Sequence, residues 1–149
     1  MDSSSLLLSG GKVLTPSMNI ITADIHIDQS SGVIEAIEAG LDPTRFETSL
    51  DVSGCVCMPG LVNAHTHIAM TLLRGYSDDK PLNAWLREDI WPVEAQLTTE
   101  HIRAGTELGL VEMIRSGTTA FADMYFEIPE TVAAVDAAGM RARLGHGIV

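Results

Sequence analysis

The chain has 149 residues, 46% hydrophobic and 19% charged, with a mean hydropathy of +0.18. That is enough to bury a packed core, and it excludes a disordered tail or a collagen-like repeat. Twenty Asp and Glu against nine Lys and Arg leave a net charge of −11, which repels phosphate backbones and argues against nucleic acid as a partner. No apolar run approaches the ~20 residues of a membrane-spanning helix. The start, Met1-Asp2-Ser3-Ser4-Ser5, lacks the basic region of a signal peptide, and two cysteines make no disulfide framework. A cytoplasmic protein is expected.

In chain order, Leu6-Leu7-Leu8, the turn Ser9-Gly10-Gly11 and then Lys12-Val13-Leu14 predict two short strands joined at the glycines. Ala23, Ile25 and Ile27 alternate with Asp24, His26 and Asp28, the period of a strand with its polar residues on a solvated face. Gln29-Ser30-Ser31-Gly32 supplies a turn, and residues 33–37 resume the apolar pattern. A loop with Gly40 and Pro43 leads to the compact run Val52-Ser53-Gly54-Cys55-Val56-Cys57-Met58, whose cysteines share one face as buried free thiols. Residues 1–59 read as a small antiparallel β-unit, and Pro59-Gly60 marks its boundary with a second region, 60–149.

Beyond Gly60, Leu61 to His67 lacks polar/apolar alternation, as expected of a strand covered on both faces. A helical pattern opens at Pro81, carries Leu82, Trp85, Leu86 and Ile90, and is kinked or ended by Pro92. A second helix starts from Thr98 as N-cap with Glu100 in its first turn, turns Ala104, Leu108, Val111 and Ile114 inward, and stops at Gly117. Thr118 to Met124 reads as a strand, Pro129 to Ala138 as a helix closed by Gly139, and Arg141 to Val149 as another strand. This rhythm predicts an α/β fold with parallel βαβ units. A closed (β/α)8 barrel takes ~250 residues. Only about 90 follow Gly60, so the region is either a small open α/β domain or the front of something larger. The absence of a closing helix or polar tail favours the latter.

His65-Thr66-His67 carries the chemistry. Residues two apart on a strand share a face with Cα atoms ~6.6 Å apart, and two imidazoles so placed can converge on one ion at Zn–N distances of ~2.0–2.1 Å. Two ligands do not complete a catalytic site, so others must come from elsewhere. A His-x-His pair also describes surface histidines on an edge strand, but its position at the end of an apolar strand is where parallel sheets build sites. The connection from His67 to Thr98 is about thirty residues long, against ~2–6 for an ordinary one, and such insertions build pockets. Within it Trp85 offers a flat apolar surface, or a core stripe with Leu82 and Leu86, and Glu94 offers two acceptors suited to paired sugar hydroxyls. Asp123 reads as a structural hydrogen-bond acceptor, and His26 and His101 as solvated.

The run Met58-Pro59-Gly60-Leu61-Val62-Asn63-Ala64-His65-Thr66-His67 resembles the opening of the metal-dependent amidohydrolase superfamily. Met70-Thr71-Leu72-Leu73-Arg74-Gly75, Trp85-Leu86, Trp91-Pro92-Val93-Glu94 and Gly117-Thr118-Thr119 through Asp123-Met124-Tyr125-Phe126 make it similar to the branch of 5′-methylthioadenosine/S-adenosylhomocysteine deaminases. Guanine deaminases and triazine or chlorohydrolases are its cousins. The resemblance implies the N-terminal part of a (β/α)8 barrel preceded by a small β-sandwich segment. It implies that His65 and His67 bind one Zn2+ or Fe2+ per active site, completed by later histidines, an aspartate and a proton-shuttling glutamate; no catalytic acid or base is identifiable in this portion. It implies a metal-activated water that attacks the amino-bearing ring carbon of an adenine nucleoside and expels ammonia. Glu94 matches the glutamate that holds ribose, Trp85 lies in the same substrate-binding segment, and His146 stands where relatives carry an arginine for the substrate's carboxylate.

The partner expected is thus a small nucleoside, with no nucleic acid, no membrane, and a homo-oligomer compatible with the longer form. Two other readings compete: a structural-metal module using the Cys-x-Cys and His-x-His pairs, and a non-catalytic half that assembles with a complementary chain. By itself the 149-residue chain is expected to be marginally folded, weakly metal-binding and inactive.

Overall fold

The computed structural model describes residues 5–147, so the expected strand end at Val149 lies partly outside the described residues. The chain divides into two compact units, Met1–Pro59 and Gly60–Val149.

The first unit is one mixed sheet. Strands β1 (Ser5–Leu14), β2 (Ile20–Asp28), β3 (Val33–Glu38) and β4 (Thr48–Asp51) lie in the order β3-β2-β1-β4, and β5 (Val56–Cys57) also pairs with β1. β2 runs antiparallel to β1 and β3, whereas β4 and β5 run parallel to β1. Ser9-Gly10-Gly11 is not a turn between two strands, as the glycines suggest, but a bulge within one strand: the register with β2 shifts between Leu8 and Gly11. Gly10 takes a φ of 75°, which glycine tolerates without a Cβ penalty, so the chain kinks and carries on.

Asp24 explains why the bulge holds. Its carboxylate accepts from Gly10 N at 2.8 Å through Oδ1, and from Gly40 N and Leu41 N at 2.8 and 3.0 Å through Oδ2. The Gly10 amide foremost, then those of Leu41 and Gly40, holds the carboxyl below the usual carboxylate range despite burial. Alternation puts Asp24 on a solvated face, but the structure buries it, because three backbone N–H groups without strand partners need an acceptor. His26 is half-buried, with its ring edge-on to Phe46 at 4.9 Å. Val13, Ala23 and Ile25 form the core, with Leu8, Ile27 and Cys57 packed against it. Both cysteines are free; Cys55 is exposed and Cys57 half-buried, so neither is the fully buried thiol expected.

The second unit builds a parallel sheet, β6 (Leu61–Thr66), β7 (Thr118–Tyr125) and β8 (Arg141–His146), in chain order. β6 is followed by a 3-10 turn, Ile68–Leu73, and then by a composite helical segment: α1 (Leu82–Ala84), a π-helical stretch Trp85–Ile90, and α2 (Trp91–Glu94). Pro92 therefore neither ends nor breaks the segment. It occupies the first turn of α2, where its missing N–H is not needed, and the wider π-turns before it absorb the change of register. α3 (Thr99–Arg115) is capped by Thr98, whose N–H donates to His101 Nδ1 at 3.1 Å, and α4 (Ile128–Ala138) ends at Gly139 with φ 65°. His101 is exposed, as its position suggests, yet it serves as a cap.

α3 turns a different face inward from the one its large residues mark. Ile102, Gly105, Thr106, Gly109 and Leu110 are buried, while Leu108, Val111 and Ile114 are exposed. The glycines let the helix backbone approach the Ile68–Leu73 turn: a Cβ at Gly109 would sit 2.5 Å from Ile68 Cγ1, and one at Gly105 would overlap the Ala69 carbonyl oxygen. Ile68, Leu110, Phe121, Ala134 and Val135 form the main core, and Ala69, Ile102 and Tyr125 a second cluster. β6 lacks the expected cover on both faces. Leu61 and Val62 are 52% and 69% exposed, because β6 is an edge strand among the described residues, with β7 its only neighbour.

Candidate metal and substrate site

The parallel register brings the C-terminal ends of the strands together: Thr66 of β6 lies opposite Asp123 of β7, and Tyr125 of β7 opposite His146 of β8. His65, His67, Tyr125 and His146 thus share one end of the sheet. The His65 and His67 ring centroids are 5.2 Å apart and the rings nearly perpendicular, at 85°.

His67 is held from behind. Its Nδ1 donates to the Met124 carbonyl oxygen at 2.6 Å. A carbonyl can only accept, so Nδ1 carries a proton, and in the neutral ring Nε2 then keeps a lone pair for a cation, the arrangement found at histidine metal ligands. Asp123 secures the backbone around it: Oδ1 accepts from Thr66 Oγ1 and from Ile68 N, both at 2.7 Å. Thr66 Oγ1 also lies 3.1 Å from the Ala122 carbonyl. The carboxylate therefore grips the residues on either side of His67. Asp123 Oδ2 is buried and has no hydrogen-bond partner among the described residues.

Glu94, at the end of α2, is tied to this strand end through Tyr125, whose hydroxyl donates to Glu94 Oε1 at 2.6 Å. Burial, and secondly the carboxylate, push the Tyr125 phenol far above its usual range, so it stays a donor. The Tyr125 ring lies 6.2 Å from that of His67 and stacks on Phe126 at 4.1 Å. Trp85 is half-buried in the π-helical stretch, and its indole N–H donates to Ser77 O at 3.0 Å. Ser77 Oγ in turn donates to Asp89 at 2.6 Å, and Lys80 pairs with Asp89 at 2.6 Å, its hydrogen bond holding the Asp89 carboxyl low. Trp85 makes no ring contact with the histidines among the described residues. His146 is exposed at the end of β8.

The structure thus brings His65, His67 and Glu94 into one contact chain through Tyr125, sets His146 at its edge, and keeps Trp85 within the loop's own network. Sequence reasoning missed Tyr125 and the Met124 carbonyl. The only available signal was their place at the end of a strand parallel to the His-x-His strand. Among the described residues no three His, Cys, Asp or Glu side chains are grouped as a metal site. The donors present fit part of a coordination sphere: two imidazoles on one strand end, one with its free nitrogen fixed.

Parallel strands joined by helices, with a histidine pair and a long insertion at their C-terminal ends, define the opening of a (β/α)8 barrel. The chain belongs to the amidohydrolase family, whose model matches residues 56–149. It is 60% identical, over 98% of its length, to a 5-methylthioadenosine/S-adenosylhomocysteine deaminase of Natronomonas pharaonis. It is 59% identical over 103 residues, 69% of the chain, to a 5'-deoxyadenosine deaminase of Methanosarcina mazei, covering 24% of that protein. The crystal structure of a zinc-bound adenosine deaminase from Xanthomonas campestris superposes with a TM-score of 0.84 at 37% identity, over 92% of this chain and 32% of that one. The chain spans about a third of the length of its deaminase relative from Natronomonas pharaonis (33%). No helix among the described residues is long and apolar enough to cross a membrane.

Proposed function

We propose that the protein deaminates an adenine nucleoside modified at its 5′ position, of the methylthioadenosine/S-adenosylhomocysteine type, with release of ammonia. The observation that carries this reading is the His67 ring, held at Nδ1 by the Met124 carbonyl and 5.2 Å from His65, in a chain whose relatives are deaminases. His65 and His67 would hold a divalent cation, Zn2+ or Fe2+, one per active site. When bound, that cation supplies a water activated at neutral pH and positive charge for the transition state.

The chain's own residues supply binding and orientation. The Met124 carbonyl keeps the His67 tautomer, and Asp123 fixes the backbone on both sides of it. Glu94 accepts the two ribose hydroxyls, a charge-assisted pair of hydrogen bonds. Trp85 walls the base with its ring face while Ser77 holds its indole N–H. His146 faces the 5′ substituent from the end of β8. That other relatives are named 5'-deoxyadenosine deaminase makes a small, uncharged 5′ group as good a candidate here as a homocysteine. Two free cysteines suit a reducing compartment, the cytoplasm.

The test is ammonia release by the zinc-reconstituted full-length protein from methylthioadenosine, S-adenosylhomocysteine, 5′-deoxyadenosine, guanine and a chlorotriazine. The adenine nucleosides should be the preferred substrates. Preference for guanine or the triazine, or no ammonia from any nucleoside, overturns the reading.

A further inference from the structure

Glu94 closes the helical turn at the end of the long insertion, and Tyr125 O–H to Oε1, at 2.6 Å, is the hydrogen bond that holds its side chain among the described residues. A glutamate side chain with no partner would spread over several rotamers, and ordering it would cost binding free energy. Tyr125 is the opposite kind of residue. It ends β7 in register with β8, is 5% exposed, packs in a cluster with Ala69 and Ile102, and stacks on Phe126. Its ring lies 6.2 Å from that of His67, so one rigid side chain touches both the candidate ion ligand and the candidate ribose acceptor.

We propose that Tyr125 is the positioning residue for diol selectivity: its hydroxyl holds Glu94 Oε1, so that Oε2 and the remaining lone pair of Oε1 meet the 2′- and 3′-hydroxyls of a ribonucleoside. This rests on the nucleoside reading of the site and adds to it. Tyr125 does not itself touch the sugar. It fixes Glu94 relative to His67, and so sets the span between the ribose and the reacting ring. A ligand without the diol gains nothing from an ordered Glu94, so the effect of Tyr125 appears as a ratio between ligands rather than as a uniform loss.

The experiment uses the full-length protein stripped of metal, titrated by calorimetry with adenosine and with 2′,3′-dideoxyadenosine, and then the zinc-loaded protein with the same pair for kcat and KM. Tyr125→Phe keeps the ring and removes only the hydroxyl. The preference for adenosine should fall roughly 10-fold or more, the scale of a hydrogen bond to a charged group. The change should appear in KM for adenosine rather than in kcat. In a Glu94→Gln background, Tyr125→Phe should lower the preference by less than it does alone. An unchanged adenosine preference in Tyr125→Phe overturns the inference while leaving the nucleoside reading standing, as does full additivity with Glu94→Gln. Loss of fold in Tyr125→Phe, read by far-UV circular dichroism, also overturns it, because the ring contacts survive and only the bond to Glu94 is gone. Failure of the unsubstituted protein to bind either nucleoside overturns the nucleoside reading itself.

Discussion

Gly105→Ala tests the packing that backs the candidate site, because its sign depends on which face of α3 is buried. On an exposed helix face the change would stabilise by about 1 kcal/mol, the propensity gap between glycine and alanine. Here the added Cβ overlaps the Ala69 carbonyl oxygen and lies 3.0 and 3.1 Å from Ala69 C and Cα, all backbone that cannot rotate away. Moving α3 outward to relieve it also stretches the bond from Thr71 Oγ1 to the Gly105 carbonyl, now 2.6 Å. Overpacking of this kind costs ~1–3 kcal/mol, and a strained hydrogen bond adds about 1 kcal/mol. After the propensity gain the net is a loss of about 1–3 kcal/mol, each kcal/mol lowering the midpoint by ~4–8 °C for a unit of this size. Trp85 and Trp91, the only tryptophans, both lie in the second unit, so thermal unfolding followed by their fluorescence reads that unit alone. Val111→Ala, at a position 52% exposed, should stay within about 0.5 kcal/mol in the same assay. A midpoint raised by Gly105→Ala, or a larger loss from Val111→Ala, would refute this assignment of the helix face.

Three further outcomes are expected. Asp24 has its folded value held below the ordinary 3.8, so its contribution to stability is present above that value and lost as pH falls through the lowered one. Asp24→Asn should remove this acid-limb loss, seen by circular dichroism between neutral and strongly acidic pH, while lowering stability at pH 7. His67→Ala and His65→Ala should each weaken Zn2+ binding in equilibrium dialysis, whereas Cys55→Ser/Cys57→Ser should leave it unchanged; zinc lost with the cysteines would support a structural metal module instead. Asp123→Ala strips the acceptor from Thr66 Oγ1 and Ile68 N and should cost roughly 2–4 kcal/mol in chemical unfolding. Asp123→Asn, which retains an acceptor oxygen, should cost less.

What could be read from the chain and what could not divide along the sequence distance of the interactions concerned. The strand-helix-strand rhythm after Gly60, the helix stop at Gly117 and the His-x-His pair are each specified within a few residues, so periodicity and turn chemistry expose them. The inner face of α3 was hidden although it is local. Hydrophobic size marks Leu108, Val111 and Ile114, whereas the close approach to the Ile68–Leu73 turn is made possible by Gly105 and Gly109, which carry no hydrophobic signal. Asp24 looked solvated because alternation counts faces and does not see the Gly10, Gly40 and Leu41 amides that surround it.

The site shows the same division more sharply. The histidines are neighbours, but what gives them chemistry is remote: the Met124 carbonyl stands 57 residues from His67, and Tyr125 stands 31 residues from Glu94. Both partners arrive on the same strand end, one a main-chain oxygen and the other a ring that reads in sequence as core. A parallel sheet makes this unavoidable, since its crossovers place dozens of residues between groups that meet at one edge. The ligand type was therefore legible, while the tautomer, the carboxylate orientation and the spacing between them were properties of the register of β6, β7 and β8.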